Sequence, residues 1–233
     1  MVKTMTEMMN KNDEKRPDGK FVQRSLGMTF GENNGEDSAG TRKIEGLAAV
    51  YGEVTVIGSY YKFREQIAPG AFDGADMSDV AFYLNHDISK IPMARCRKSR
   101  DKNSLEVWAD ADGLRMRTVL DTENNQDARA LCSAIDRGDV DQMSFCFIVD
   151  EEKWSDMDQE IPLRTVTKIR QVVEISAVTY PAYDTTKIGF SRAQQSLESD
   201  RAALERAKTE YDDRVKSEVC KIDMMKKKIL MMH

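Results

Sequence analysis

Between Lys43 and Tyr180 apolar and polar residues alternate with a period of two in run after run, and this periodicity constrains the fold more than any other feature of the chain. A period of two sends successive side chains to opposite faces of an extended strand. Tyr60–Ile67, Ser104–Ala109, Gly113–Leu120 and Val140–Val149 read this way, Ile44–Tyr51 reads as a half-buried strand, and Thr165–Arg170 and Val172–Tyr180 are strand-like runs. Val80–Leu84 is an unbroken apolar run, long enough for a buried strand and too short for a helix. Asp110-Ala111-Asp112-Gly113 predicts a hairpin, because glycine supplies the positive φ that a tight turn needs. One helix interrupts the series. Ala128, Leu131, Cys132 and Ile135 recur at helical spacing after Asp121-Thr122, which can cap, and Gly138 stops the helix after about four turns. Residues 150–160 are acidic and read as a loop. The fold class expected is mainly β with flanking helices, that is, α+β.

The flanks differ from this core. Residues 1–40 are polar and read as a flexible arm or propeptide, with one edge strand near Phe21–Leu26. From Ser191 onward the chain has neither proline nor glycine and is heavily charged. Leu197, Leu204, Tyr211, Val215, Ile222, Met225, Ile229 and Met232 recur there at steps of three, four or seven. That pattern predicts a long C-terminal helix or coiled coil, packed on the core or on its copy in a homodimer. The division expected is an arm over 1–40, a compact domain over 41–190 and a helical tail over 191–233.

Composition removes several classes of function. Lys+Arg number 35 against 40 Asp+Glu, for a net charge of -5, which argues against nucleic acid or an anionic membrane as the main partner. No stretch approaches the ~20 apolar residues of a membrane span, and Met1–Lys20 lacks the apolar core of a signal peptide. The 4 cysteines, Cys96, Cys132, Cys146 and Cys220, form no CxxC pair and read as free thiols in a reducing, intracellular setting. The 2 histidines include the terminal His233, so any centre built on several imidazoles is excluded. Asp110, Asp112, Asp121 and Glu123 lack the further ligands of a calcium loop and read as turn residues. No phosphate-binding glycine loop is present, and neither metal nor cofactor is expected.

The interior histidine, His86, follows the apolar run Val80–Leu84, where a rigid strand presents a side chain to a cleft. Imidazole is the group best suited to take and return a proton near neutral pH. Ser144 is a hydroxyl set among Met143, Phe145 and Phe147, and a buried hydroxyl needs a partner that an imidazole would provide. A third group must orient the ring. Asp87 and Glu174 are the candidates, and Glu174 interrupts the apolar run Val172–Ile175 either as an edge residue or as a buried carboxylate with a designated partner. Cys146 lies two residues beyond Ser144 on the same face, so a Cys-His hydrolase is the competing arrangement, though nothing in its apolar surroundings favours a thiolate.

The ordered blocks Ile44–Tyr51, Phe63–Phe72, Leu84–Asp87, Asp112–Leu114, Met143–Phe147 and Glu174–Tyr183 resemble the prohead maturation serine proteases of tailed bacteriophages, the HK97-type family, over about residues 41–190. That family is similar in fold to the herpesvirus assemblins. The resemblance implies an assemblin-like closed or partly closed β-barrel and a serine endopeptidase with His86 as general base and Ser144 as nucleophile. It maps the third, orienting role to Glu174; the second histidine of the assemblins has no counterpart here but His233. The implied substrates are the scaffold, or the scaffold-like extension of the major capsid protein, cut inside the prohead in the host cytoplasm, with self-cleavage. Family members usually carry glycine two residues after the serine and often two before it, where this chain has Cys146 and Gln142. The departure bears on the oxyanion hole, for which Arg164 and Arg170 are candidates by analogy with the assemblins. The alternative is an inactive, protease-like scaffolding protein whose helical tail is the working part.

Overall fold

The computed structural model describes residues 20–26, 40–58, 61–179 and 191–230. The rest of the N-terminal arm, and Tyr180–Tyr183 of the last resembling block, lie outside the described residues. Described strands are β1 (Lys20–Leu26), β2 (Thr41–Val50), β3 (Thr55–Ile57), β4 (Phe63–Ile67) and β5 (Asp79–Leu84). They continue with β6 (Ala94–Arg97), β7 (Leu105–Ala109), β8 (Gly113–Asp121), β9 (Gln142–Ser155) and β10 (Leu163–Val178). The described helices are α1 (Gln126–Asp136) and α2 (Ser191–Leu230). No helix among the described residues is long and apolar enough to cross a membrane.

The architecture is mainly β, with one helix inside the sheet-forming region and one at the C-terminal end. β9 and β10 form its axis. From Met143 to Val149 every residue of β9 is buried, because both faces are covered. On one face Phe145 stacks on Phe147 and meets Phe72. β10 is a single strand where two were expected. Register shifts between Val166 and Glu174 let it bend, so its first part pairs parallel with β4 and its last part parallel with β5. The acidic loop expected over 150–160 is largely strand: β9 runs on to Ser155 as a ladder whose side chains are mostly exposed, and the turn begins at Asp156.

The described strands do not close into a barrel. Their ladders form a seven-stranded sheet and a separate three-stranded sheet of order β2-β8-β7. The sheets touch at an isolated bridge between Tyr51 and Ile67, while β6 meets the β7 side through Arg95 N–H donating to the Ser104 hydroxyl, a side-chain contact rather than a ladder. The β7–β8 hairpin forms as expected, with a second reason for its glycine. A Cβ on Gly113 would lie 1.9 Å from the Ala49 carbonyl oxygen, so β2 packs against the turn as only glycine allows. Asp110 and Asp112 both bind Arg115, and Asp110 also accepts the Asp112 and Gly113 N–H groups.

Helix α1 has 11 residues, three turns rather than four. Asn125 is its N-cap, accepting from Asp127 and Ala128, because the Asp121 carboxylate is spent on the N–H groups of Glu123 and Asn124. Gly138, at φ 74, ends the helix as expected. Helix α2 is anchored by its first half, where Ala203 and Leu204 are buried and Asp200 reaches Arg164. The outer apolar residues Val215, Val219, Ile222 and Met225 are exposed.

Candidate active site

Three strands assemble the site by register alone. On β9 and β10, Cys146 stands opposite Glu174 and Ser144 opposite Ser176, so four polar side chains share one patch of one face. β5 pairs with β10 on its other side, Glu174 beside Ala81 and Ala177 beside Leu84, and so ends level with that patch. The next residues, Asn85 and His86, both take left-handed backbone conformations at φ 52 and 57, which turns the chain sharply and swings the imidazole over the patch. Asparagine tolerates this conformation and histidine adopts it less readily, so the turn needs support. β10 provides it: Asn85 N–H donates to the Ala177 carbonyl at 2.8 Å, His86 N–H to the Ser176 hydroxyl at 3.2 Å, and the Asn85 side-chain oxygen accepts from Thr179 N–H at 3.0 Å.

The ring is held at both nitrogens. His86 Nε2 lies 2.6 Å from Ser144 Oγ, and Nδ1 is hydrogen-bonded to the Glu174 carboxylate. Glu174 is buried, with a side-chain exposure of 2%, against 11% for His86, and Ser144 is wholly covered at 0%. Burial alone would push the Glu174 carboxyl up. The charge and hydrogen bond of His86, with hydrogen bonds from Cys146 and Ser176, outweigh that and hold it below its ordinary value. An ionised Glu174 accepts from Nδ1–H, which leaves the lone pair on Nε2 facing the serine hydroxyl. The arrangement is therefore able to remove the proton of Ser144.

A profile described as Caudovirus prohead serine protease matches residues 30–200. The chain belongs to that family. Neither a curated protein nor a solved structure matches it. Membership in the prohead serine protease family implies a serine peptidase of capsid maturation, acting on phage capsid proteins in the prohead within the host cell.

In this prohead serine protease family member the other candidates fall elsewhere. Asp87 does not reach the ring: its carboxylate accepts from the N–H and hydroxyl of Ser89, closing the turn after His86. Cys146 Sγ lies 3.7 Å from Nδ1, on the Glu174 side of the ring and not the Ser144 side. The donor atoms of His86, Cys146 and Glu174 lie within 4.8 Å of one another, the one group among the described residues with the composition and spacing to hold a metal ion. Neither arginine considered for the oxyanion hole is near. Arg164 stands twelve positions before Ser176 on β10, roughly 40 Å along an extended strand, and is enclosed by Glu65, Glu152 and Asp200. Arg170 lies at the surface, paired with Asp150.

Two residues that serve the site escaped the sequence reading. Ser176 donates to Glu174 Oε2 at 2.7 Å while accepting from His86 N–H, so it ties the carboxylate to the turn that carries the imidazole. Its position two residues after Glu174 in a strand places both on one face, and that spacing was the available signal. Asn85 acts through a left-handed backbone that no local pattern announces.

Proposed function

We propose that the chain is a serine endopeptidase that cleaves the scaffold, or the scaffold-like extension of the major capsid protein, inside the prohead, and that it also cuts itself. Ser144 attacks the scissile carbonyl, His86 Nε2 takes its proton and returns it to the leaving amine, and Glu174 holds the ring and stabilises the imidazolium that forms. The observation that carries this reading is the double contact of one imidazole, with Ser144 on Nε2 and Glu174 on Nδ1. Geometry of this kind is what the reaction requires, because a ring held at one nitrogen presents the other in a fixed direction.

Under this reading residues 41–190 form the peptidase domain, 1–40 a removable arm and 191–233 an appendage that associates with capsid or scaffold, or with a second copy. The exposed apolar residues in the outer part of α2 support an assembly role for it. Coexpression with the capsid protein, read by mass spectrometry of the products, tests the function. Wild type is expected to yield processed capsid protein or scaffold and self-cleaved fragments, and Ser144→Ala and His86→Ala to lose them by about 10⁴-fold or more. Unchanged processing in both variants would replace the peptidase with a non-catalytic assembly protein.

A further inference from the structure

β1 lies outside the family-matched region, which begins at residue 30, yet its backbone pairs with the strand that carries Ser144. The register sets Leu26 opposite Met143, Ser25 opposite Ser144 and Arg24 opposite Phe145, and it continues to Lys20 opposite Val149. Antiparallel partners stand about 5 Å apart between α-carbons, so the main chain of the N-terminal segment runs alongside the serine. β1 is also the end strand of its sheet, and among the described strands it pairs with β9 only. Without it, β9 would be an edge, with a row of main-chain donors and acceptors from Met143 to Val149 turned outward. Such an edge takes up an extended peptide by strand addition, main-chain hydrogen bonds giving the attachment and alternate side chains the selectivity. With β1 in place Ser144 has no exposed surface, so a polypeptide that is to be cut must first gain access to it.

We propose that the edge of β9 from Met143 to Val149 is the docking edge for an extended substrate polypeptide, and that the chain's own Lys20–Leu26 fills it as a stand-in that substrate displaces. The peptidase reading is needed only for the identity of the displacing chain; the exchange of one strand for another does not depend on it. Exchange replaces one set of main-chain hydrogen bonds by an equivalent set, so the balance is set by concentration and by the contact between β1 and α2 that the displaced segment gives up. A tethered segment competes at an effective concentration on the order of millimolar. Dilute free peptide loses to it, whereas substrate concentrated within an assembled shell prevails. The fold in this way restrains cleavage before assembly without any further inhibitor.

The test uses the full-length chain carrying Ser144→Ala, so that nothing is cut. Hydrogen exchange is expected to show the main-chain amides of β1 exchanging at least about 100-fold faster than those shared by β9 and β10, as a separately opening unit does. Exchange of β1 together with the β9–β10 core would make it an integral strand and overturn the proposal. A fluorescent peptide with the sequence of Lys20–Leu26 is then titrated by anisotropy against this chain and against the same chain with Val22→Pro and Gln23→Pro, adjacent positions whose main-chain donors point to opposite edges of β1, so that one donor to β9 is removed. The proline-bearing chain is expected to bind at least about tenfold more tightly, and N-methylation of one of the two alternate sets of peptide amides, each tried in turn, to abolish binding. Equal affinity for both chains, or indifference to N-methylation, overturns the docking edge. Should the proline chain not fold, the exchange measurement on the chain without those prolines decides the matter. Peptide uptake in a protein whose wild type cuts no capsid or scaffold protein supports the docking edge and removes the peptidase reading instead.

Discussion

β10 carries a buried charged cluster at each end, and the two differ in how they are satisfied. Near its start, Arg164 is completely buried, and its guanidinium binds Glu65 and Asp200 through one nitrogen and Glu152 through two others. Near its end, Glu174 is nearly as buried but faces His86, whose ring keeps 11% of its surface exposed. A guanidinium does not give up its proton in a protein, so the first cluster holds elements together and exchanges nothing. An imidazole can take and return a proton, and here one of its nitrogens points at a hydroxyl. Burial and charge are common to both ends. What separates a structural cluster from a chemical one is a partner able to pass a proton on and a side of the site that is not sealed by further carboxylates.

The sharpest way to break this contrast is Glu174→Gln. An amide in place of the carboxylate favours the wrong ring tautomer, so cleavage of capsid protein or scaffold should fall by about 10⁴-fold while the variant still folds, as followed by thermal melting together with product analysis. Retention of cleavage within tenfold would mean that Glu174 does not orient the ring. Arg164→Ala should do the opposite. It leaves carboxylates buried without their cation and should cost about 3–5 kcal/mol of stability, measured by denaturant unfolding, with turnover per folded molecule close to wild type. If activity fell as steeply as stability held, the two ends would have exchanged roles.

Acidity distinguishes the ends further. The Glu174 carboxyl lies below its ordinary value of 4.5 in the folded chain, so protons bind the unfolded chain more readily there. Its contribution to stability is complete above that ordinary value and is lost as pH falls through the lower folded one. The gap in melting temperature between wild type and Glu174→Gln should therefore be constant at neutral pH and narrow on acidification; a gap that widened in acid would contradict the assigned direction. The smallest effect is expected from Ser176→Ala, which removes one hydrogen bond to the carboxylate and one from the turn. It should cost about 1–2 kcal/mol and reduce turnover by about tenfold, with KM little changed. A loss confined to stability would make Ser176 a structural residue only.

Much of this was legible in the sequence for reasons that can be named. Period-two alternation locates β4, β7, β8 and the buried part of β9, an unbroken apolar run β5, and Gly138 the end of α1, because all depend on neighbours in the chain; the short β3 and β6 carry no such pattern. The settings of His86, Ser144 and Glu174, and the resemblance of the blocks around them, mark these three residues, and the fold brings their side chains together. Features that depend on pairing across the sheet were not legible. The charged stretch after Val149 reads as loop because a ladder exposed on its sides carries the same residues as a loop does. The bulges that fuse two runs into β10, and so let one strand face both β4 and β5, have no composition of their own. Arg164 meets Glu65 and Asp200 from distant parts of the chain, and only the fold reveals that meeting. Barrel closure is of the same kind, since it is decided by edges, and the described ladders do not show it. The apolar stripe of the C-terminal helix was visible, but periodicity identifies a face and not what covers it.

The contact between Arg164 and Asp200 also sets the reach of the molecule. Asp200 fixes helix α2 to the body, and of the residues beyond Tyr211, those from 212 to 227 are all exposed. From Tyr211 to Leu230 the helix is uninterrupted, a rod of about 28 Å at 1.5 Å per residue. Its outer apolar residues are thus held out from the sheets like a boom on a fixed mounting, and whatever engages them does so at arm's length from the candidate site around His86.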